Sequence, residues 1–303
     1  MGIVRARGLT KTYPGVTALD GVDLDIPDGR VGLVGANGAG KTTLFRLLLG
    51  LARPTAGSVE VCGIPVATDP LAVRRRIGYM PEHECLPLDQ TAADIVSTFG
   101  ELGGLSARAA RKRASEVLDL VGLDEARFRP VGGFSTGMRQ RTKLAQAIVA
   151  GPDLLLLDEP TAGLDPSGRE EMLALVARLG GFGVAVLLAT HLLDDVATVC
   201  DHVVMLDAGR LVADAPTESL MQRTGTVTVD VGPGGVAALV AYLGGRGLRA
   251  AAGEDGTVEV TAAGGADLDA IRDAVADLGL PLYRLTNRLT SLDDVFFHPQ
   301  PSA

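Results

Sequence analysis

The chain has 303 residues, of which 47% are hydrophobic and 4% aromatic, and its formal net charge at pH 7 is -9. This length allows one large domain, or a large domain with a small one, around a sizeable core. The acidic balance argues against duplex nucleic acid as a partner, because such proteins usually present a basic face. No nucleic-acid partner is therefore expected.

The cysteines and the apolar runs indicate where the protein works. Three scattered cysteines lack paired metal-ligand spacing and favour reduced thiols in a cytoplasmic protein. The opening "MGIVRARGLTKTY" lacks the apolar segment of a secretory signal. No apolar run has the length of a bilayer span, and the runs at residues 154–157 and 184–189 have the length of strands.

Strand and helix patterns alternate through the first part of the chain. The segments "VRARGLTKTY" and "VDLDIP" are predicted as antiparallel strands, and "VGLVG" as a buried strand before the helix "KTTLFRLLLG". After the strands "GSVEVCG" and "RIGYM", the pattern is helical up to residue 150, with Ser106 as the N-cap of one helix. Strands return at "LLLLDEP", "VAVLLATH", "HVVMLD" and "RLVAD". This alternation predicts an α/β fold with a mainly parallel, covered sheet.

The pattern changes after residue 225. The segments "TVTVDV" and "TVEVTA" alternate apolar and polar residues as half-buried strands do, and two amphipathic helices lie among them. A last strand, "PLYRLTNR", and a short helix, "SLDDVFFH", are predicted at the end. The expected organisation is a large domain over 1–224 with a helical subdomain at about 82–150, followed by a small α+β appendage over 225–303.

The segment "GANGAGKT", residues 35–42, satisfies the phosphate-loop pattern G-x-x-x-x-G-K-[ST] between a predicted strand and a predicted helix. In such a loop, backbone N–H groups turn toward the phosphates, Lys41 reaches the β- and γ-phosphates, and the Thr42 hydroxyl ligates Mg²⁺. The other candidate phosphate-binding residues of this loop are Gly35, Asn37, Gly38, Ala39, Gly40 and Thr43.

Two later segments supply the side chains that hydrolysis needs. "LLLLDEP" is an apolar strand that delivers Asp158 and Glu159 to the carboxyl edge of the sheet. Asp158 is expected to hold Mg²⁺ through water, and Glu159 to polarise the attacking water. His191, which closes the strand ending in "ATH", is expected to donate a hydrogen bond to the γ-phosphate in the transition state. Glu159, His191 and Lys41 are thus the predicted catalytic residues of a nucleoside triphosphatase, and Asp158 is a predicted ligand of its Mg²⁺.

The motifs "GANGAGKTT", "FSTGMRQR", "LLLLDEPTAGLDP" and "ATH", in this order, resemble the nucleotide-binding subunit of an ATP-binding cassette (ABC) transporter over about residues 4–222. The resemblance implies a P-loop ATPase fold, with a mixed sheet, an antiparallel β subdomain and an inserted helical subdomain. It implies ATP and Mg²⁺ as ligands, with Tyr13 stacking on adenine. It also implies a separate polytopic membrane permease, which would place the chain at the cytoplasmic face of the membrane, with residues 79–98 transmitting motion.

The segment "FSTGM" resembles the family's signature motif. Ser135 and Gly137 match it, whereas Thr136 and Met138 depart from it in the manner of the branch that exports drugs and polymers. The resemblance implies a head-to-tail homodimer, in which Ser135 and Gly137 contact the nucleotide of the other chain. Asp165, in "GLD", would then lie in the loop that crosses between the two sites.

Glu82 is the clearest departure from the family, which usually has Gln at this position. Gln can ligate Mg²⁺ and also donate to water, whereas an ionised Glu can only accept. A tolerated substitution and a slower, more Mg²⁺-dependent turnover both remain open. A separate metal site in "EHEC" is disfavoured, because its residues are sequential and lack metal-ligand spacing.

The ending "TSLDDVFFH" resembles the tail of ATPases from antibiotic-export systems of the daunorubicin-resistance type. The resemblance implies an exporter, while for the appendage a regulatory or dimer-stabilising role and plain structural packing both stay open. Two other functional classes remain open. A soluble ABC ATPase of translation or repair commonly carries two cassettes in one chain, and a P-loop kinase or GTPase would lack the signature motif.

Overall fold

A computed structural model of the chain describes residues 2–220, 223–253, 256–261 and 265–289. The chain divides into two units, Met1–Thr217 and Glu218–Ala303. This division follows directly on the last strand of the first unit, whereas the sequence pattern placed the boundary between residues 224 and 225. The difference arises because a one-turn helix and the first residues of the next strand belong to the second unit.

The elements of the first unit follow the predicted alternation closely. Its strands are β1 (Val4–Tyr13), β2 (Val16–Ile26), β3 (Arg30–Val34), β4 (Ala56–Val61), β5 (Ile64–Pro65), β6 (Ile77–Met80), β7 (Leu154–Asp158), β8 (Ala185–Thr190), β9 (His202–Asp207) and β10 (Arg210–Pro216). Its helices are α1 (Lys41–Leu48), α2 (Pro70–Arg76), α3 (Ala92–Leu102), α4 (Ala107–Leu120), α5 (Thr136–Ile148), α6 (Pro166–Gly181) and α7 (Leu193–Val199), and the one-turn helix α8 (Thr217–Leu220) lies at the division.

Two sheets make up this unit. The first is antiparallel, in the order β2-β1-β4-β5, and the second has six strands in the order β10-β9-β3-β8-β7-β6. In the second sheet, β9, β3, β8, β7 and β6 run parallel, and only β10 pairs antiparallel, with β9. The carboxyl ends of β3, β7 and β8 therefore meet at one edge, which confirms the predicted mainly parallel sheet and brings three motifs together.

Helix α1 lies in a core that both sheets share. Leu44, Phe45 and Leu48 of this helix are fully buried, in the same cluster as Leu19 of β2 and Leu187 of β8. Burying a side chain of this size contributes about 1.5–3 kcal/mol. The helix that follows the phosphate loop is thus fixed by apolar packing on two sides, so the loop before it is presented from a rigid base.

Helices α3, α4 and α5 lie between β6 and β7 and form the inserted helical subdomain of the fold. Each helix has a hydroxyl N-cap: Thr91, Ser106 and Ser135 accept hydrogen bonds from backbone N–H groups of the first turn. Helix α5 then returns to the parallel sheet. A Cβ atom on Gly78 of β6 would lie 2.1 Å from the carbonyl oxygen of Ala147, so only glycine permits this approach.

The second unit is the predicted α+β appendage. Its elements are β11 (Arg223–Asp230), α9 (Val236–Gly245), β12 (Ala250–Ala252), β13 (Thr257–Thr261), α10 (Gly265–Asp277) and β14 (Arg284–Leu289), with an antiparallel sheet in the order β12-β13-β11-β14. Residues from the sheet and both helices form its core, among them Val229, Leu239, Val258 and Ile271. The predicted ending helix "SLDDVFFH" lies outside the described residues. Within the described ranges, no helix has the length and apolar character to cross a membrane.

Candidate nucleotide-binding site

The phosphate loop follows β3 and ends at Gly40, the N-cap of α1. Gly40 has a φ of 108°, and a Cβ atom there would lie 2.6 Å from the carbonyl oxygen of Ala18. Glycine is therefore required, and no side chain caps this helix. The backbone N–H groups of the first turn remain available, and together with the helix dipole they favour an anion at this point.

Lys41 is buried and bends back over the loop. Its Nζ atom donates to the carbonyl oxygen of Gly35, lies 3.4 Å from that of Ala36, and is 4.0 Å from Oε1 of Glu159. Burial lowers the pKa of Lys41, and the negative charges of Glu159, Asp158 and Glu82 oppose this shift. A buried ammonium beside free backbone N–H groups makes the loop strongly attractive to phosphate.

Asp158 ends β7 and is buried beside a tyrosine that the sequence did not mark as a site residue. The Tyr79 hydroxyl donates to Oδ2 of Asp158 at 3.4 Å. Burial, with the nearby charges of Glu82 and Glu159, raises the pKa of Asp158. Burial and the Asp158 charge raise the pKa of Tyr79 to about 12, so its hydroxyl stays protonated and keeps donating.

Glu159 is held in an unusual backbone conformation. Its φ is 48°, in the left-handed region that non-glycine residues seldom adopt. Its backbone N–H donates to the carbonyl oxygen of Ala189 at 2.9 Å, and its Oε2 accepts from the Thr190 hydroxyl at 3.3 Å. Its Oε1 lies 3.0 Å from Nδ1 of His191. Contacts to the end of β8 thus maintain the strained residue, a pattern typical of functional sites.

These residues surround one cleft of about 430 Å³. The predicted site residues that line it are Tyr13, Asn37, Gly38, Gly40, Lys41, Thr42, Thr43, Glu82, Asp158, Glu159 and His191. The predicted residues Gly35 and Ala39 are buried within the loop and do not line the cleft. At the Tyr13 end of the cleft, Nζ of Lys11 lies 4.8 Å from the centre of the tyrosine ring. The cleft therefore combines a phosphate-binding end, three acidic side chains and a half-buried aromatic ring.

The remaining predicted residues, Ser135, Gly137 and Asp165, line a second cavity of about 560 Å³. The two cavities have no lining residue in common. Ser135 Oγ accepts from the Met138 N–H at 3.3 Å, and Asp165 Oδ1 accepts from the Gly168 N–H at 3.0 Å. Both side chains therefore cap helices, α5 and α6 respectively, at the wall of a cavity separate from the phosphate loop.

The oxygen atoms around the cleft suit Mg²⁺. Thr42 offers a hydroxyl, and Asp158 and Glu82 offer carboxylates, the ligand types that this ion prefers. Among the described residues, no group of three or more His, Cys, Asp or Glu side chains could hold a metal by itself. Water and phosphate oxygens would thus complete the coordination of Mg²⁺, and the "EHEC" segment forms no such group.

Asp195 joins three segments around the cleft, a role that the sequence did not reveal. It is only 1% exposed and lies on α7, just after His191. Its Oδ2 accepts from the Thr161 hydroxyl at 2.6 Å, and its Oδ1 accepts from Nε of Arg169 at 2.5 Å. The segment after Glu159 and the helix after His191 are therefore connected through one buried carboxylate.

Replacing Asp195 with Ala should lower the free energy of unfolding by about 1.5–3 kcal/mol, the usual contribution of a hydrogen bond to a charged group. The Thr161 hydroxyl would be left buried without its acceptor. Urea denaturation measures the change, and Asp194→Ala, at an exposed neighbour on the same helix, is the matched control. Equal stability of the two variants would contradict a stabilising role for the buried network.

The geometry first defines a class. A parallel sheet carries a phosphate loop after β3, an Asp-Glu pair after β7 and a histidine after β8, all at one edge and around one cleft. Backbone N–H groups, a buried lysine and a strained acid in this arrangement fit hydrolysis of a nucleoside triphosphate. The site and fold are those of a P-loop nucleoside triphosphatase.

Comparison with known proteins narrows the class. The family described as "ABC transporter" matches residues 19–162. The chain is 38% identical over 299 residues to the daunorubicin resistance ATP-binding protein DrrA3 of Streptomyces coeruleorubidus, covering 96% of this chain and 93% of that protein. It is 36% identical over 231 residues to the Nod factor export ATP-binding protein I of Ralstonia nicotianae, covering 76% and 72%. The chain belongs to the ABC transporter family.

Solved structures of ABC transporter cassettes are also similar to this chain. The chain resembles cbiO1 of Clostridium perfringens, described as part of the ABC transporter complex cbiONQ, with a TM-score of 0.66, 28% identity, and coverage of 72% of this chain and 90% of that one. It also resembles the cassette MJ0796, solved as a dimer in a post-hydrolysis state with ADP and Pi, with a TM-score of 0.66, 26% identity and coverage of 71% and 99%.

These similarities confirm the predicted ABC ATPase fold. They also confirm ATP hydrolysis in a transporter as the activity, with ATP and Mg²⁺ as its substrate and cofactor. The alternatives, a soluble ATPase of translation or repair and a P-loop kinase or GTPase, find no support in them. Within the chain, the resemblance to DrrA3 extends through nearly all of the appendage as well as the cassette.

Proposed function

We propose that this chain powers the export of drug-like or antibiotic molecules across a membrane. The relatives named above are a drug-resistance ATP-binding protein and a Nod factor export ATP-binding protein, and the first of them matches over 96% of the chain. The Thr136 and Met138 departures in the signature motif point to the same branch. Export of small molecules is thus the function that sequence and site support together.

The working unit in this proposal is a head-to-tail homodimer. One observation carries it: Ser135, Gly137 and Asp165 line a cavity separate from the one that Lys41 lines. A second anion-binding motif that is remote from its own phosphate loop is useful when another chain supplies the nucleotide. The MJ0796 cassette, described as dimeric in a state bound to ADP and Pi, supports a dimer as the working unit.

The membrane partner in this proposal is a polytopic permease, which would hold the dimer at the cytoplasmic face. The cbiO1 protein, described as part of a transporter complex, provides a parallel. The helical subdomain exposes several large apolar side chains in and around the segment expected to transmit motion: Leu88, Phe99, Leu102 and Phe128. In the assembled transporter, contact with the permease would remove such side chains from water, which is favourable.

Within each site, the chain's residues bind and orient ATP for attack by water. Lys41 and the N–H groups of the first turn of α1 hold the phosphates, and Tyr13 stacks on the adenine. Thr42, Asp158 and Glu82 would hold Mg²⁺, which neutralises phosphate charge that develops during cleavage. Glu159 accepts a hydrogen bond from the attacking water and orients it. Tyr79, by donating to Asp158, fixes the rotamer of that carboxylate.

The contact between His191 and Glu159 restricts what the histidine can do. An ionised Glu159 only accepts, so Nδ1 of His191 must carry the proton that lies between them. A neutral ring would then present Nε2 as an acceptor, and only a doubly protonated ring could also donate to a phosphate oxygen. The contact therefore supports one task for His191, which is to orient Glu159 by donating from Nδ1 to Oε1.

Vesicle transport tests the proposed export. Inside-out vesicles containing this chain and a permease encoded beside it should accumulate a fluorescent anthracycline when Mg-ATP is added. Lys41→Ala should reduce the ATP-dependent rate by at least about 100-fold, because a phosphate-positioning charge is lost from the reaction. Lys112→Ala, at an exposed ammonium on α4, is the matched control. ATP-dependent accumulation that survives Lys41→Ala would contradict the proposal.

A further inference from the structure

Helix α5 presents three functional side chains at four-residue intervals, namely Ser135 at its N-cap, Arg139 and Lys143. Residues spaced by four lie on the same face of a helix. Ser135 lines the second cavity, whereas Arg139 and Lys143 contact the segment that follows β6. That segment includes Glu82, which lines the ATP cleft. One face of α5 thus extends from the second cavity, which Ser135 lines, to the segment that carries Glu82 at the ATP cleft.

Lys143 makes the principal contact. It is only 3% exposed, and its Nζ atom donates to the carbonyl oxygens of Pro81 at 2.7 Å, Glu82 at 2.9 Å and His83 at 3.4 Å. An ammonium has three N–H donors, so each can be matched by one of these carbonyls. Burial lowers the pKa of Lys143, and the neighbouring Cys85 and Glu84 oppose this shift. A charge buried at this cost is retained only where its partners are well placed.

Arg139 adds a second contact from the same face to the same segment. Its Nη1 atom lies 3.6 Å from Oε1 of Glu84, whose side chain is 64% exposed. An exposed ion pair of this kind contributes little to stability. Lys143 is therefore the residue that holds the segment after β6 against α5, and Arg139 makes a weaker contact to the same segment.

We propose that Lys143 is a positioning residue that couples the Ser135 motif to Glu82. When Ser135 meets the nucleotide of the partner chain, α5 moves as a rigid helix, and Lys143 carries the carbonyls of residues 81–83 with it. Glu82 then moves relative to the phosphates bound by its own chain. This inference rests on the proposed head-to-tail dimer. It also concerns Glu82, the departure from the family, because the ammonium of Lys143 on α5 donates to the Glu82 carbonyl oxygen.

Turnover measurements test the coupling. Lys143→Met should lower kcat by about 10- to 100-fold, since misplacement of a positioning group by an ångström costs this much. The Kd for ATP should stay within about twofold, because the phosphate loop is untouched. The Mg²⁺ concentration for half-maximal turnover should rise, because Glu82 is one of the residues proposed to hold the ion. Lys143→Arg should restore part of kcat, and Lys112→Met, on the exposed face of α4, should match the wild type.

A second measurement detects movement of the segment after β6 without ATP hydrolysis. Cys85 is exposed and lies three residues beyond Glu82. With Cys62 and Cys200 replaced by Ala in a Glu159→Gln background, the alkylation rate of Cys85 should change on addition of Mg-ATP. Lys143→Met should abolish that change while labelling of the nucleotide-free chain continues.

The outcomes separate this inference from the dimer on which it rests. If Lys143→Met has the kcat of the wild type while Ser135→Arg is inactive, the coupling is wrong and the shared site stands. If Ser135→Arg turns over normally, the shared site itself is wrong. A loss of kcat in Lys143→Met that is accompanied by an equal loss of ATP affinity and a lower unfolding midpoint would assign Lys143 a structural role and overturn the inference.

Discussion

Glu159→Gln should reduce ATP hydrolysis by about 10²- to 10⁴-fold, the usual contribution of a positioned general base. The amide has nearly the same shape as the carboxylate, so the left-handed backbone and the contact with Thr190 can persist. It removes, however, the negative charge that orients and accepts from water. ATP should still bind, because the phosphate loop and Lys41 are unchanged, and the nucleotide-bound dimer should accumulate.

Size-exclusion chromatography with Mg-ATP detects the trapped dimer, and phosphate release measures turnover. Glu170→Gln, at an exposed position on α6, removes the same charge outside the cleft and should behave as the wild type. Turnover of Glu159→Gln at the wild-type rate would exclude Glu159 as the residue that activates water. Loss of ATP binding in this variant would instead indicate that the carboxylate mainly supports the fold of the loop.

Ser135→Arg is expected to abolish hydrolysis while leaving ATP bound to the chain's own phosphate loop. An arginine side chain would fill the second cavity, and the N-cap hydroxyl of α5 would be lost at a cost of about 1 kcal/mol. Closure of two chains around nucleotide would then be blocked sterically. Fluorescent ATP should bind with the wild-type Kd, while phosphate release falls by at least about 100-fold.

Mixing two inactive variants distinguishes a shared site from a site within one chain. In a head-to-tail dimer of Lys41→Ala with Ser135→Arg, one site contains both defects and the other contains neither. Random mixing makes half of the dimers mixed, so recovery can reach about one quarter of the wild-type sites if each site acts independently. No recovery is possible if each chain hydrolyses ATP with its own Lys41 and Ser135. Normal turnover of Ser135→Arg alone would also contradict the shared site.

The strongest predictions from sequence concerned residues whose chemistry depends on a short stretch of chain. The conformation of the phosphate loop from Gly35 to Thr42 is determined locally, because the strand, the glycines and the helix follow one another directly. Asp158, Glu159 and His191 could be brought together because the carboxyl ends of parallel strands share an edge. The mainly parallel α/β sheet and the helical stretch up to residue 150 followed from the alternation of strand and helix patterns, whereas the subdomains of the fold followed from the family resemblance.

Residues that act through distant partners could not be found in this way. Tyr79 lies in an ordinary strand, and its contact with Asp158 depends on the pairing of β6 with β7. Asp195 and Lys143 each resemble surface charges in sequence, yet both are almost fully buried by segments far away along the chain. Recognising them requires knowledge of the tertiary packing, because nothing in their neighbouring residues specifies a partner.

The hydroxyl of Ser135 has consequences for what the second cavity can accept. A serine hydroxyl carries one proton and two lone pairs, and here a lone pair is occupied by the Met138 N–H. Binding a ligand therefore need not disturb the helix, since the proton is not used by the cap. The helix thus holds one lone pair of this hydroxyl, and the proton can be donated to the incoming group. An ionised phosphoryl oxygen, which can only accept, is a ligand that this proton suits.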